Sequence, residues 1–264
     1  MPLLALVLVA FDLPLIGVVI KSFFDGKGEF SLATYHTLVD APVYARVLGN
    51  TFRIAVISTL CCALIGYPLA YWLRSLPRHW QMIGLAAIVI PFWISILVRT
   101  YAWIVIMGNA GIINRTLLAL GWVGSPVPML YNELGVIIGT INVLLPFLVL
   151  PLYASMTKID DRLLQAGETL GAGRWTVFWR IFFPLSVPAL AAGCVLVFIL
   201  TLGFYITPAI LGGGRVPMIA NMLDLLINEM PNWELASTIS VVLLAATMVL
   251  FVVYLRINRE ARQT

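Results

Sequence analysis

Few residues of this 264-residue chain could do chemistry, and the densest group of them is one polar stretch between hydrophobic runs. It reads Asp160-Asp161-Arg162-Leu163-Leu164-Gln165-Ala166-Gly167-Glu168-Thr169-Leu170-Gly171 and continues to Ile181-Phe182-Phe183-Pro184. Its chemistry is that of docking rather than catalysis. Asp160 and Asp161 can cap a helix start, and Gly171 can close the same helix with positive φ. Leu163, Ala166, Gly167 and Leu170 fall on one face at the i, i+3, i+4, i+7 spacing. Gly171-Ala172-Gly173 permits a sharp turn before a second helical run, which carries Arg174 and Arg180 and stops near Pro184.

Elsewhere the chemical vocabulary is thin. Cys61, Cys62 and Cys194 all lie inside apolar runs, an arrangement that suits small packing residues better than a disulfide framework or a zinc site. His36 and His79 are far apart, in loops, so a haem held between two histidines is not expected. No Ser/His, His/His or paired-Asp arrangement sits within the apolar runs, so no intramembrane enzyme is expected. Asp25-Gly26-Lys27-Gly28 lacks the spacing and the hydroxyl of a phosphate-binding loop. If ATP drives this protein, another chain must bind it. Two charges do lie in apolar runs and are expensive there: Asp12, just before Pro14, and Arg99, flanked by Tyr101 and Trp103. Both are assigned to gating or helix packing.

The elements that position these residues follow from composition. The chain is 61% hydrophobic and 11% charged, with a mean hydropathy of +1.01. That exceeds what one soluble core can absorb and defines an all-α polytopic membrane protein. Six transmembrane helices are expected at about 3–21, 50–73, 83–107, 134–156, 187–209 and 236–255. They form a single domain over 1–264, with a polar loop at 157–186. The first run lacks a basic leader and a small-x-small cleavage pattern. It is read as a retained span, and the missing leader points to a start further upstream. Net charge is +4, too scattered for a nucleic-acid face. The basic residues act as topology signals instead. With both termini cytoplasmic, inner segments hold nine: Arg74, Arg78, Lys158, Arg162, Arg174, Arg180, Arg256, Arg259 and Arg262. Outer loops hold five: Lys21, Lys27, Arg46, Arg115 and Arg215. The excess places the 157–186 loop inside the cell. Between Asn109 and Tyr131 the apolar residues suffice for a short interfacial helix, and Trp122 and Trp233 fit an aromatic belt.

The polar stretch resembles the EAA-type cytoplasmic loop of permease subunits in bacterial ABC importers. In that pattern Glu-Ala-Ala is followed by three residues, Gly, nine residues and Ile-x-Leu-Pro. Ala166, Gly171, Ile181 and Pro184 match it; Gln165, Gly167 and Phe183 depart, with Glu168 one helical step away as a substitute carboxylate. Further stretches resemble the spermidine/putrescine branch: Leu64-Ile65-Gly66-Tyr67-Pro68-Leu69-Ala70-Tyr71, Pro91-Phe92-Trp93, Val98-Arg99-Thr100-Tyr101-Ala102-Trp103 and Leu202-Gly203-Phe204-Tyr205-Ile206-Thr207-Pro208. The resemblance implies a type I importer permease fold in a bacterial inner membrane. It also implies a second permease subunit forming a heterodimer, two cytoplasmic ATPases that bind ATP and Mg, and an extracytoplasmic solute-binding protein. No cofactor or metal is expected in this chain. On the same basis Gln165, Ala166, Gly167, Glu168, Gly171 and Arg174 are the residues expected to couple to the ATPase.

For a polyamine cargo, desolvated ammonium groups need carboxylates and aromatic faces. The candidates are Trp93, Tyr101, Trp103, Phe204, Tyr205, Asp224 and Glu229. Outer loops hold seven acids against five bases, a mild bias toward cations. Arg99 would repel a cation, which keeps open another small solute of the same fold, such as an opine or an inorganic anion. A secondary transporter, needing no ATPase, is the reading from another class.

Overall fold

The computed structural model describes Leu6, residues 8–25 and residues 29–260. Lys27 and Arg262, counted above as topology signals, lie outside the described residues, as does much of the start of the first run. A π-helical turn at Leu8–Asp12 leads into α1 (Leu13–Lys21), followed by α2 (Ala33–Asp40) and the long α3 (Pro42–Ser75). Next come α4 (Arg78–Val89) with a 3-10 turn at Ile90–Trp93, α5 (Ile96–Met107), α6 (Ile112–Ala119), α7 (Glu133–Met156) and α8 (Asp161–Thr169). The α9 helix (Arg174–Leu202) widens to π geometry at Phe178–Phe182. The chain closes with α10 (Ile206–Gly212), α11 (Ile219–Asp224) and α12 (Trp233–Glu260). Among the described residues, α3, α7, α9 and α12 are each long and apolar enough to cross a bilayer, and a fifth stretch, Ile96–Ala119, reaches that length only by joining α5 to α6.

Two of the expected spans are interrupted. The run at 83–107 breaks between the 3-10 turn and α5, where Ile94 and Ser95 are extended. Each half is 12 residues, about 18 Å of helix, against roughly 30 Å of hydrocarbon. The run at 187–209 stops at Gly203 and resumes as α10. By contrast Pro68, Pro146 and Pro151 sit inside continuous helices instead of ending them.

The chain divides into two compact units, Met1–Thr51 with Pro217–Thr264, and Phe52–Val216, the division falling inside α3. In the first, α1 and α2 pack on α12. Val47, Ile219, Leu226, Leu235, Ala236 and Ile239 form its core. Its polar groups are tied locally: the Thr51 hydroxyl accepts from the Ile219 N–H at 2.9 Å, and Thr238 donates to Thr34 at 2.8 Å.

In the second unit α7 is the central post. Val143, Leu144, Leu148, Val149, Leu152 and Met156 are buried between α3 and α9, against Cys62, Ala70 and Leu73 on one side and Phe182 and Val197 on the other. Arg53 pairs with Glu133 at 3.2 Å, Gly66 meets Leu148, and Arg74 bonds the Met156 carbonyl at 2.9 Å. These contacts keep a nearly constant sequence offset, so α3 and α7 run parallel. Helix α9 runs the other way, placing Phe182 near the Met156 end and Gly193 against Leu148. The unit therefore has an Arg53 end and an Arg74 end. At the Arg53 end, α6 folds back on α5 instead of extending it. Ile113 and Leu117 pack with Met107, and buried Asn114 donates to the Gly108 and Val127 carbonyls at 3.1 and 3.0 Å while accepting from the Val127 N–H. This is the short helix expected between Asn109 and Tyr131.

Close approach of helices in lipid depends on small residues at the seam. A Cβ on Gly66 would stand 2.7 Å from Leu148 Cδ2 and 3.2 Å from Val149 Cγ2. Gly66→Val should therefore destabilise the detergent-purified protein by about 1–3 kcal/mol through overpacking, read as a lowered thermal midpoint. Gly49→Ala, inside the same helix but with nothing within 4 Å, should not lower the midpoint.

Candidate functional site

The polar stretch forms a compact cap on the Arg74 end of the second unit. Helix α8 begins where the Asp160 carboxylate accepts from the Arg162 N–H at 2.9 Å. It ends in a Schellman arrangement: the Ala172 N–H reaches the Gly167 carbonyl at 3.1 Å and the Gly171 N–H reaches Glu168 at 3.0 Å. Gly171 takes φ +87°, which a side chain would oppose. Both ends of this short helix are thus closed by its own residues, so it holds its shape with few contacts elsewhere.

Packing divides its faces differently from the i, i+3, i+4, i+7 expectation. Gly167 is buried, and a Cβ there would lie 2.7 Å from Ile181 Cδ1 and 3.3 Å from Val177 Cγ2. Leu164 accompanies it inward against the core. Leu163, Ala166 and Leu170 stand on the outer side, Leu163 50% and Leu170 88% exposed. The boundary runs between Leu163 and Gly167 because α9 approaches from one flank only. The outcome is an exposed apolar row edged by exposed Gln165 and Glu168. Gly167 replaces the pattern's second alanine at the point where α8 touches α9. Arg174 is exposed and borders an open groove of about 380 Å³ lined by Tyr67, Pro68, Tyr71, Trp175 and Phe178.

Arg74, counted in the sequence only as a topology charge, is the residue that anchors this cap. Its side chain is 15% exposed. Nε donates to the Met156 carbonyl at 2.9 Å, and Nη2 donates to the Ile159 carbonyl at 3.1 Å and to Asp161 Oδ1. The guanidinium carbon lies 5.0 Å above the Phe182 ring. The Arg74 and Leu76 carbonyls accept from Gln81 Nε2, and Gln81 Oε1 accepts from the Tyr153 hydroxyl at 3.0 Å. One discoverable signal was available: a cation at the last turn of an apolar helix, where unpaired carbonyls gather.

The residues proposed for a solute path are dispersed. Trp93 is highly exposed beside a groove lined by Phe92, Pro146, Phe147 and Leu196, a lining that includes none of the others. Tyr101 is exposed, Trp103 packs with the Met107 cluster, Phe204 packs on the α7 core, and Tyr205 is at the N-terminus of α10. In the first unit, Asp224 accepts from Asn228 at 2.7 Å and Glu229 is exposed. Asp12 is exposed just before α1. Arg99 is half-buried, its guanidinium 6.0 Å from the Phe92 ring, so its aromatic partner is Phe92.

The second unit is thus a bundle of apolar helices, α3 and α7 parallel and α9 opposed to them, with a self-capped amphipathic helix at one end. The family of binding-protein-dependent transport system inner membrane components matches residues 54–263, and the chain belongs to it. It is a multi-pass, non-catalytic inner-membrane subunit of an ABC transporter. The chain is 37% identical to the spermidine/putrescine transport system permease protein PotB of Haemophilus influenzae over 220 residues, 83% of this chain and 76% of that one. It is 34% identical to the protein of the same name from Escherichia coli strain K12 over 233 residues, 88% and 84% of the two chains. In fold it is similar to a chain of a bacterial alginate ABC transporter, solved in complex with an alginate pentasaccharide-bound periplasmic protein. There the TM-score is 0.79 at 19% identity, covering 100% of this chain and 93% of that one.

If Gly167 sets the seating of α8, Gly167→Leu should lift the helix from Ile181. Amides of residues 161–169 should then exchange about tenfold faster in hydrogen exchange, whereas Gly167→Ala, which displaces the flexible tip of Ile181 and asks only a slight shift of Val177, should change them little.

Proposed function

We propose that this chain is a permease subunit of an ATP-driven polyamine importer. The observation that carries the reading is its 34–37% identity, over most of its length, to spermidine/putrescine permeases. The basic residues favour an orientation with both termini and the Arg74 end in the cytoplasm. Helix α8 then meets an ATPase, which binds ATP and Mg. The exposed row Leu163, Ala166 and Leu170, with Gln165 and Glu168 at its edges, has the apolar-with-polar-rim character of a helix that lies in a partner's groove. Arg174, at the entrance to α9, extends the surface. Two such ATPases, a second permease subunit and an extracytoplasmic solute-binding protein complete the assembly.

The coupling works as a biased two-state equilibrium. Closure of the ATPase dimer favours one position of α8, and the spans follow as packed bodies between inward- and outward-facing arrangements. Trp93, Tyr101, Trp103, Phe204 and Tyr205 offer π-faces, and Asp224 and Glu229 offer carboxylates, for a cation whose water has been removed.

Two measurements test the proposal. Expressed with its neighbouring transport subunits in cells lacking polyamine import, the chain should restore accumulation of labelled spermidine or putrescine. Uptake of a different small solute with no polyamine accumulation would overturn the cargo. Gly171→Pro and Glu168→Lys should each lower uptake about tenfold or more while the ATPase still hydrolyses ATP. Solute-stimulated hydrolysis and uptake at parental levels in both variants would overturn α8 as the coupling element.

A further inference from the structure

Five helices meet at one residue on the Arg74 end. Arg74 lies in the last turn of α3; its guanidinium holds the Met156 carbonyl at the end of α7, the Ile159 carbonyl in the linker and the Asp161 carboxylate in the first turn of α8. Its flat face lies over Phe182 of α9, and its carbonyl is held by Gln81 of α4. We propose that Arg74 is a positioning residue that locks α8 to α3, α7 and α9. A displacement of α8 is then delivered to the membrane helices instead of being absorbed by the linker between α7 and α8. The inference rests on the proposed seating of α8 against an ATPase.

The geometry separates the contributions. Asp161 is 73% exposed, so its ion pair with Arg74 is largely screened and weak. The two carbonyl bonds belong to a side chain that is mostly out of water, where an unpaired carbonyl is costly and a charged donor is strong. A planar guanidinium can serve two carbonyls while stacking on a ring; a lysine ammonium, a point charge on a flexible stem, cannot do so in one position. Loss of Arg74 should therefore matter much more than loss of the Asp161 charge. Without it, the linker between Met156 and Asp161 keeps local turn bonds, such as Lys158 N–H to the Ser155 carbonyl, and the packing of the Ile159 side chain on the core, but loses its hydrogen bonds to α3.

The test uses the complete transporter with its ATPase and binding protein in liposomes, loaded with spermidine as the probe. A cross-linker on Thr169→Cys reports whether α8 touches the ATPase. Arg74→Ala should cross-link as the parent does and hydrolyse ATP within about twofold of it, while spermidine moved per ATP falls about tenfold. Arg74→Lys should show a smaller fall in the same ratio, and Asp161→Asn should stay within about twofold of the parent. A parental transport-to-hydrolysis ratio in Arg74→Ala overturns the proposal, as does an Asp161→Asn defect equal to it. If Arg74→Ala does not assemble, Arg74→Lys decides: a lowered ratio with intact cross-linking supports the role, and a parental ratio overturns it. Absence of the cross-link in the parent overturns the docking of α8, and this inference with it; an intact cross-link with normal coupling in the Arg74 variants overturns this inference alone.

Discussion

A helix that leaves a bilayer must hand its last carbonyls to something other than lipid. In this protein the largely enclosed guanidinium of Arg74 does so for the Met156 carbonyl of α7, and the rest of the cap is arranged around that act. Because the donor sits on α3, satisfying the end of α7 also fixes two parallel helices at the same depth. Because the third donor reaches Asp161, the next helix starts from that fixed point. Because the ring of Phe182 covers the guanidinium, α9 closes over it. The apolar seams above, with Gly66 against Leu148 and Gly193 beside it, set how closely the helices approach, but not where they end.

Helix α8 is joined to this frame yet little supported by it. Its two ends are closed by its own residues, Asp160 at one and Gly171 at the other, and one flank alone is packed. Leu163 and Leu170 are left in the open, an arrangement with an energetic cost for a solitary chain and a purpose for one with a partner. Such an element keeps its form with little outside support, which is what the proposed coupling surface requires.

Much of this was legible in the residues because periodicity and punctuation carry it. The apolar runs, the Asp160 cap, the Gly171 stop and the short helix after Asn109 all follow from local rules. What was not legible depends on neighbours. Nothing in Pro91 or Ser95 alone says that the third run will break there while Pro68, Pro146 and Pro151 are carried within intact helices. The inward side of α8 could not be assigned without knowing that Ile181 and Val177 approach from one flank. Arg74 looked like one cation among many; its importance comes from carbonyls more than eighty residues away in the chain. The aromatic candidates for a solute path were chosen by residue type. Their different surroundings, from the exposed Trp93 to the core-packed Phe204, are a property of the packing.

The steady offset between α3 and α7 has an evolutionary consequence. Arg53 must meet Glu133 and Arg74 must meet Met156 across the same pair of helices, so inserting or deleting one residue between them swings one contact by about 100° around the axis relative to the other. Descendants of this gene can thus exchange letters along that segment far more freely than they can change its length. Insertions and deletions should collect instead in the connection between α6 and α7, where Gly121 and Gly124 leave open space around the backbone.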